Sequence, residues 1–308
     1  MKPAPIPENE EQRQQAIDKL NIVYSPAEDR FDRITRIAMR LFDVPIALVS
    51  LVSRDKQWFK SCQGLSVAES GRDISFCGHA IMNDDVLVIP NASKDPDFLD
   101  NPMVTGPPNI RFYAGQPLRF EEQRIGTLCI IDQRPRHLSP SDYDSLRSLG
   151  AWVETELVLW NQHTPGVLRQ LLAKDDKAKL VDPVTGGLTE QAIEIVKGSI
   201  ETTAVNDPQS PGPDQPSGIR IEVGELVKLG DLELINLARK EVAQVVRSAI
   251  GDLGVLGLDG KSRYAVVLSP QGRLQLPALL NRLQVILARL NDSKALQSAA
   301  ITIKCHPF

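Results

Sequence analysis

The run IALVSLV at residues 46–52 sets the first constraint on the fold. It is apolar apart from Ser50, partly β-branched, preceded by Pro45 and followed by a turn at Asp55-Lys56. A short apolar run bounded by such breakers reads as a buried strand. Residues 57–62 return from the turn as a second strand, which makes a hairpin. Upstream, Phe31, Ile34, Ile37, Ala38 and Leu41 recur at helical spacing and predict an amphipathic helix over 27–41 that Pro45 ends. Further strands are expected at 86–89, 111–119 and 125–132, the last two joined by a turn at Gln123-Arg124, with loop or short helix over 91–101. Ser139-Pro140-Ser141-Asp142 has the chemistry of a helix start, and the helix continues through Leu146, Leu149, Trp152, Val153, Leu157 and Trp160. The pattern is an antiparallel sheet with helices at both ends, an α+β arrangement.

At 308 residues the chain is long enough for two domains. The expected boundaries are a tail and first helix at 1–25, a first domain at 26–160, a helical linker at 161–180 and a second domain at 181–308. In the second half a turn at 182–188, helices at 191–200, 232–250 and 276–290, and strands at 218–223, 264–268 and 299–304 alternate, with a Pro-rich loop at 202–217. Alternating elements predict a layered sheet with covering helices. The net charge is −4 with no basic stripe, which argues against nucleic acid as a partner. The longest apolar runs fall far short of a membrane span, and residues 1–10 lack the apolar core of a secretory signal, so the expected location is the cytoplasm. Cys62, Cys77, Cys129 and Cys305 contain no Cys-x-x-Cys pair, so no metal site is expected; their default in a reducing compartment is buried thiols.

Several stretches carry a family resemblance. They are RDISFCGHAI at 72–81, VIPNA at 88–92, DPDFLDNPMV at 95–104, IRFYAGQPL at 110–118 and GTLCIID at 126–132. In this order they resemble the GAF domains of bacterial histidine kinases and diguanylate cyclases, over residues 26–160. The resemblance implies a GAF-type antiparallel sheet flanked by helices and a cup for a small-molecule ligand. Candidate ligand contacts are Cys77, His79, Arg111, Phe112, Tyr113, Gly115 and Cys129. Each has an ordinary structural reading beside the functional one. Cys77 and His79 shape the cup or form a redox or ligand contact, with His79 near enough in sequence to activate the thiol. Cys129 packs in the core or faces Cys77. Phe112 and Tyr113 alternate across a strand or wall the pocket, and Arg111 pairs with Asp73 or Asp95 or anchors a ligand. Trp152 and Trp160, eight residues apart, either pack on the sheet or form a parallel homodimer contact. A bilin is not expected, since the Cys-His attachment pattern is absent.

The second half resembles the GGDEF domain of diguanylate cyclases, which implies a ferredoxin-like, cyclase-palm fold. The resemblance rests on DPVTGG at 182–187, GDLELINLA at 230–238, GKSRYAVVL at 260–268 and the strand at 300–303. At the signature the chain reads Gly260-Lys261-Ser262-Arg263-Tyr264, with Ser262 in place of Asp and Arg263 in place of the metal-binding Glu. Glu222 aligns with a first metal carboxylate, Gly224 stands at the next acid, and the guanine-reading Asn and the Arg-x-x-Asp inhibitory site have no counterpart. The family's final strand and helix have no counterpart before residue 308. An arginine repels a cation. The degenerate site therefore comprises Glu222, Asp231, Gly260, Ser262 and Arg263, with no catalytic residue and no cofactor expected. A basic pair, Lys261 and Arg263, would be solvated or hold a phosphate.

These readings lead to a non-enzymatic signalling regulator: a GAF sensor or docking domain joined to a dead cyclase-like domain that contacts a protein partner. Three alternatives stand beside it. One is a scaffold or accessory subunit that senses nothing; another is a divergent cyclase using Glu222 with Asp231 or Asp259. The last is a thiol-based redox protein.

Overall fold

Two separate antiparallel sheets organise the chain in the computed structural model. The structure describes residues 1–163, 168, 172, 179–204, 216–224, 232–260, 263–290 and 303–307. Two units emerge, Met1–Val23 with Arg30–Thr164, and Tyr24–Asp29 with Pro165–Phe308.

In the first unit six strands, β1 (Ile46–Val52), β2 (Lys56–Gln63), β3 (Glu69–Gly71), β4 (Leu87–Ile89), β5 (Phe112–Phe120) and β6 (Gln123–Asp132), lie in the order β3-β2-β1-β6-β5-β4. All seven residues of β1 are buried, as a run apolar on both sides of the pleat requires. The register places Cys62, Leu48, Cys129, Gly115 and Leu87 in one row across the sheet. Directly paired residues point to the same face. Leu48 and Cys129 join a core with Phe76, Cys77 and Ile81 under the short helices α3 (Phe76–Ala80) and α4 (Pro102–Thr105).

The long helices are α1 (Glu10–Leu20), α2 (Asp29–Phe42) and α5 (Pro140–His163). Helix α5 packs on β5 and β6, and α1 packs on β6. Helix α2 buries Phe31, Ile34 and Ala38, the apolar stripe of the sequence, while Ile37 and Leu41 remain exposed. Ser61 donates to Asp32 Oδ1 at 2.7 Å and lies 2.7 Å from Thr35 Oγ1, tying α2 to β2. Lys60 is 1% exposed, and its ammonium sits 5.2 Å from the Phe31 ring centre and 4.4 Å from that of Trp160. A desolvated ammonium over aromatic faces gains about 2 kcal/mol. Trp160 also donates to Leu20 O at 3.0 Å. It is therefore a packing residue, whereas Trp152 is partly exposed and donates to Glu156 on its own helix.

Residues 1–9, expected as a tail, pack on this unit. Lys2 N donates to Asp97 O and Ala4 N to Asp73 O, and Ala4 is buried. Glu10 then closes a cluster. Its carboxylate accepts from Arg13, Gln14 and Arg72, and both arginines are almost wholly buried.

The second unit contains α6 (Glu190–Ala204), β7 (Gly218–Val223), α7 (Leu232–Ile250), β8 (Gly254–Leu258), β9 (Arg263–Leu268), α8 (Pro270–Leu274), α9 (Leu276–Leu290) and β10 (Ile303–Pro307). From β7 onward the main elements run β-α-β-β-α-β, and the strands lie β10-β7-β9-β8, all antiparallel, a split β-α-β arrangement. Ile219, Ile221, Val242, Val246, Leu283 and Leu287 form the core between sheet and helices. The turn at 182–188 is held by its own side chains: Asp182 Oδ1 accepts from Thr185 N at 2.8 Å and Thr185 Oγ1 at 2.7 Å, and buried Arg247 donates to Thr185 O. Tyr24–Asp29 belongs here, with Ala27 N donating to Gly186 O at 2.7 Å. The linker segment 164–178, apart from positions 168 and 172, and most of the Pro-rich loop lie outside the described residues.

The Glu10 cluster makes the first unit sensitive to acid. Burial alone would raise the Glu10 pKa, but hydrogen bonds from Arg13, Arg72 and Gln14 hold it at about 2. A depressed carboxylate stabilises the fold fully above its unfolded pKa, and that stabilisation is lost as pH falls from about 4.5 through about 2. Glu10→Gln leaves two buried guanidiniums without their anion and should cost about 3 kcal/mol. Urea melts at pH 7 read the loss, and the variant should show less acid dependence than the parent between these pH values.

Candidate functional site

The sheet face carrying Leu48 and Cys129 encloses a cavity of about 330 Å³. Its walls are mainly apolar, with Phe59, Phe76, Met103 and Tyr113 among them, and Gln57, Ser66, Glu69 and Ser70 are the polar residues that line it. An apolar concavity with a few placed polar groups is the usual form of a small-molecule site.

Helix α3 is set by its cap. Ser75 Oγ accepts from Gly78 N at 2.9 Å and donates to Gln57 Oε1 at 2.5 Å, which fixes the helix start against β2. Phe76 stacks on Phe98 with ring centres 4.3 Å apart and approaches the Tyr113 ring at 5.2 Å. Cys77 then faces the cavity. Gly78 is dictated by a close approach: a Cβ there would lie 2.6 Å from Ala4 Cβ.

Cys77 and Cys129 face each other with Sγ atoms 3.8 Å apart, and both are buried. Hydrogen bonding from the Cys129 thiol pulls the Cys77 pKa below the ordinary thiol range against the opposing effect of burial. The hydroxyls of Thr127, Tyr113 and Ser50 act in the same direction. Thr127 Oγ1 and Tyr113 Oη reach no partner with good hydrogen-bond geometry, so their contribution to Cys77 is that of nearby dipoles. Burial pushes the Cys129 thiol well up, so Cys77 is the more readily ionised of the pair. Burial also keeps Tyr113 a neutral phenol, assisted by the two sulfurs.

The remaining predicted contacts separate. His79 does not line the cavity: residues two apart on a helix point about 200° apart. Its Nε2 lies 3.1 Å from Lys2 O, its ring meets the edge of Phe98, and burial lowers its pKa, so it is a neutral group supporting the N-terminal strap rather than the cation that activates Cys77. Arg111 donates to Val104 O at 2.9 Å and Ile110 O at 3.0 Å, bracing a loop instead of pairing with Asp73 or Asp95. Phe112 is buried outside the core cluster that holds Tyr113, as strand alternation demands. Gly115 leaves room for Tyr113, since a Cβ there would lie 2.1 Å from Tyr113 Oη. Gln57, Glu69 and Ser70 were invisible as site residues in the sequence, because only the β1–β2–β3 register brings them to one wall.

In the second unit Gly260 takes φ +101° in the turn joining β8 to β9. Arg263 opens β9 directly opposite Glu222 of β7, and its Nε donates to Asp259 O at 2.8 Å. Asp259 is engaged by Arg220 at 2.6 Å. Asp231, Lys261 and Ser262 lie outside the described residues. Among the described residues no three His, Cys, Asp or Glu side chains could hold a metal ion, and no helix is long and apolar enough to cross a membrane.

Tyr113 gives a direct test of the cavity wall. A buried hydroxyl without a partner costs about 1 kcal/mol, so Tyr113→Phe should stabilise the apo protein by that amount in thermal melts. Gly115→Ala should instead destabilise it, by about 1–3 kcal/mol, because Tyr113 must move.

Residues 26–157 match the GAF domain family. A cyclic di-GMP phosphodiesterase of Pseudomonas aeruginosa is 42% identical over 133 residues, 43% of this chain; the match spans only 23% of that protein. Among solved structures, the GAF domain of an Acinetobacter phosphoenolpyruvate-protein phosphotransferase aligns over 48% of this chain and 92% of its own, at 16% identity and TM-score 0.36. The free methionine-R-sulfoxide reductase of Neisseria meningitidis aligns over 51% and 95%, at 15% identity and TM-score 0.38. The six-stranded antiparallel sheet and its cavity lie within the stretch, residues 26–157, that matches the GAF domain family.

Proposed function

We propose that this protein is a non-catalytic signalling regulator. Its GAF cavity takes a small, mostly apolar molecule, and its second unit is a degenerate GGDEF-like domain that docks on a protein partner. The observation that carries the non-catalytic reading is the placement of Arg263 opposite Glu222 beside the β8–β9 turn. Metal-assisted phosphoryl transfer needs carboxylates that neutralise a cation and position phosphates. A guanidinium at that position repels the cation, and the nearby Asp259 is already engaged by Arg220. The β-α-β-β-α-β order with strands β10-β7-β9-β8 supports the palm-like reading, since it brings that turn beside β7. The match to part of a cyclic di-GMP phosphodiesterase supports a role in cyclic-dinucleotide signalling.

The test has two arms on the full chain. Incubation with GTP and magnesium should give no cyclic di-GMP; clear product overturns the non-catalytic reading. Native mass spectrometry of protein purified from cells, repeated after denaturation, should release one small molecule. A mass equal to the bare chain in both states, together with no shift in melting temperature across a library of small apolar compounds, overturns the sensor reading.

A further inference from the structure

We propose that Cys77 and Cys129 are a hydroperoxide-oxidised dithiol, with Cys77 the attacked thiol and Cys129 the resolving one, closing a reversible disulfide in the wall of the GAF cavity. Neither the family match nor the proposed ligand binding requires this chemistry, and it stands independently of both.

Three observations meet at this point. The sulfurs are 3.8 Å apart, so reaching the disulfide length of about 2.05 Å needs a closing movement of under 2 Å. Cys77 lines the cavity whereas Cys129 lies behind it, which gives the two thiols unequal access. A cavity of about 330 Å³ is ample for hydrogen peroxide or a small organic hydroperoxide. The surroundings favour the same division of labour: Thr127, Tyr113 and Ser50 present hydroxyls to Cys77, while Cys129 keeps its proton. The reacting form of a cysteine is its thiolate.

The steps balance. The Cys77 thiolate attacks the terminal oxygen of the hydroperoxide, an S–O bond forms and the O–O bond breaks. The product is Cys77 sulfenic acid, and the leaving alkoxide or hydroxide takes a proton as alcohol or water. Cys129 sulfur then attacks Cys77 sulfur, the S–S bond forms, the S–O bond breaks, and water leaves with the Cys129 proton. Two thiols are oxidised by two electrons and one peroxide bond is reduced. An external thiol reverses the disulfide by exchange. With the pair closed, the cavity wall loses the free Cys77 sulfur and α3 is bound covalently to β6. The cavity is then altered at the position where it would meet a ligand.

The experiment treats full-length protein with hydrogen peroxide, alkylates the remaining thiols under denaturing conditions and maps peptides by mass spectrometry. The expected result is a single linked peptide pair containing Cys77 and Cys129, lost on treatment with dithiothreitol. Cys129→Ala should stop at a Cys77 sulfenic acid trapped by dimedone. Cys77→Ala should lower oxidation of Cys129 at least about tenfold, since that thiol lacks a route to the peroxide. The unmodified protein carries the decisive reading, so a variant that folds poorly does not spare the idea. A linked peptide containing Cys62 or Cys305 in place of this pair, or peroxide treatment that leaves both thiols alkylatable, overturns the proposal.

Discussion

One carboxylate organises the first unit. Glu10 lies between Arg13 and Arg72, two guanidiniums that are almost wholly withdrawn from water. Arg13 also reaches Val52 O, and Arg72 reaches Ser53 O at 3.1 Å and Arg54 O at 3.3 Å, so the cluster satisfies the carbonyls at the β1–β2 turn. Arg72 stands three residues before Ser75, whose hydroxyl sets α3 and with it Cys77. The position of the thiol in the cavity therefore depends on an ion cluster that the cavity never touches. Removing Glu10 leaves both guanidiniums buried without it, which costs more than the cluster itself contributes.

Lys60 is a second buried cation, and aromatic rings share in covering its ammonium. Its alternation in β2 points it toward α2 and α5, where Phe31 and Trp160 offer their ring faces. That arrangement fixes the far end of α5, and Trp160 further ties it to the end of α1 through Leu20 O. The sheet thus has two differently built faces. One is an apolar cavity edged by a thiol and a phenol; the other is closed by helices held through a cation and aromatic rings.

Much of this architecture was legible in the sequence. The buried run at β1, the helical stripe of Phe31, Ile34 and Ala38, and the Ser139-Pro140 helix start each state their structure through local pattern. The elements that escaped are those whose reason is tertiary. β3 is three residues, Glu69, Ser70 and Gly71, with no apolar alternation, and exists because β2 offers it an edge. β8 reads GVLGL, too glycine-rich to announce a strand, and its glycine at 257 permits close packing of Ile193. In the site, sequence placed Cys77, Tyr113 and Cys129 in one domain but could not say that two sulfurs face each other. The orientation of His79 was unreadable for the same reason, since its partner is the carbonyl of Lys2, distant in sequence.

The close approach of Ala4 to Gly78 bears on where this domain begins. The family match starts at residue 26, yet Ala4 covers α3 and Glu10 neutralises Arg72 from outside that span. The stretch recognisable by descent and the stretch that folds are thus not the same length. A fragment cut at the recognisable limits would expose the back of α3 to water and leave the buried Arg72 guanidinium without Glu10. Its behaviour would report on the missing segment and not on the domain.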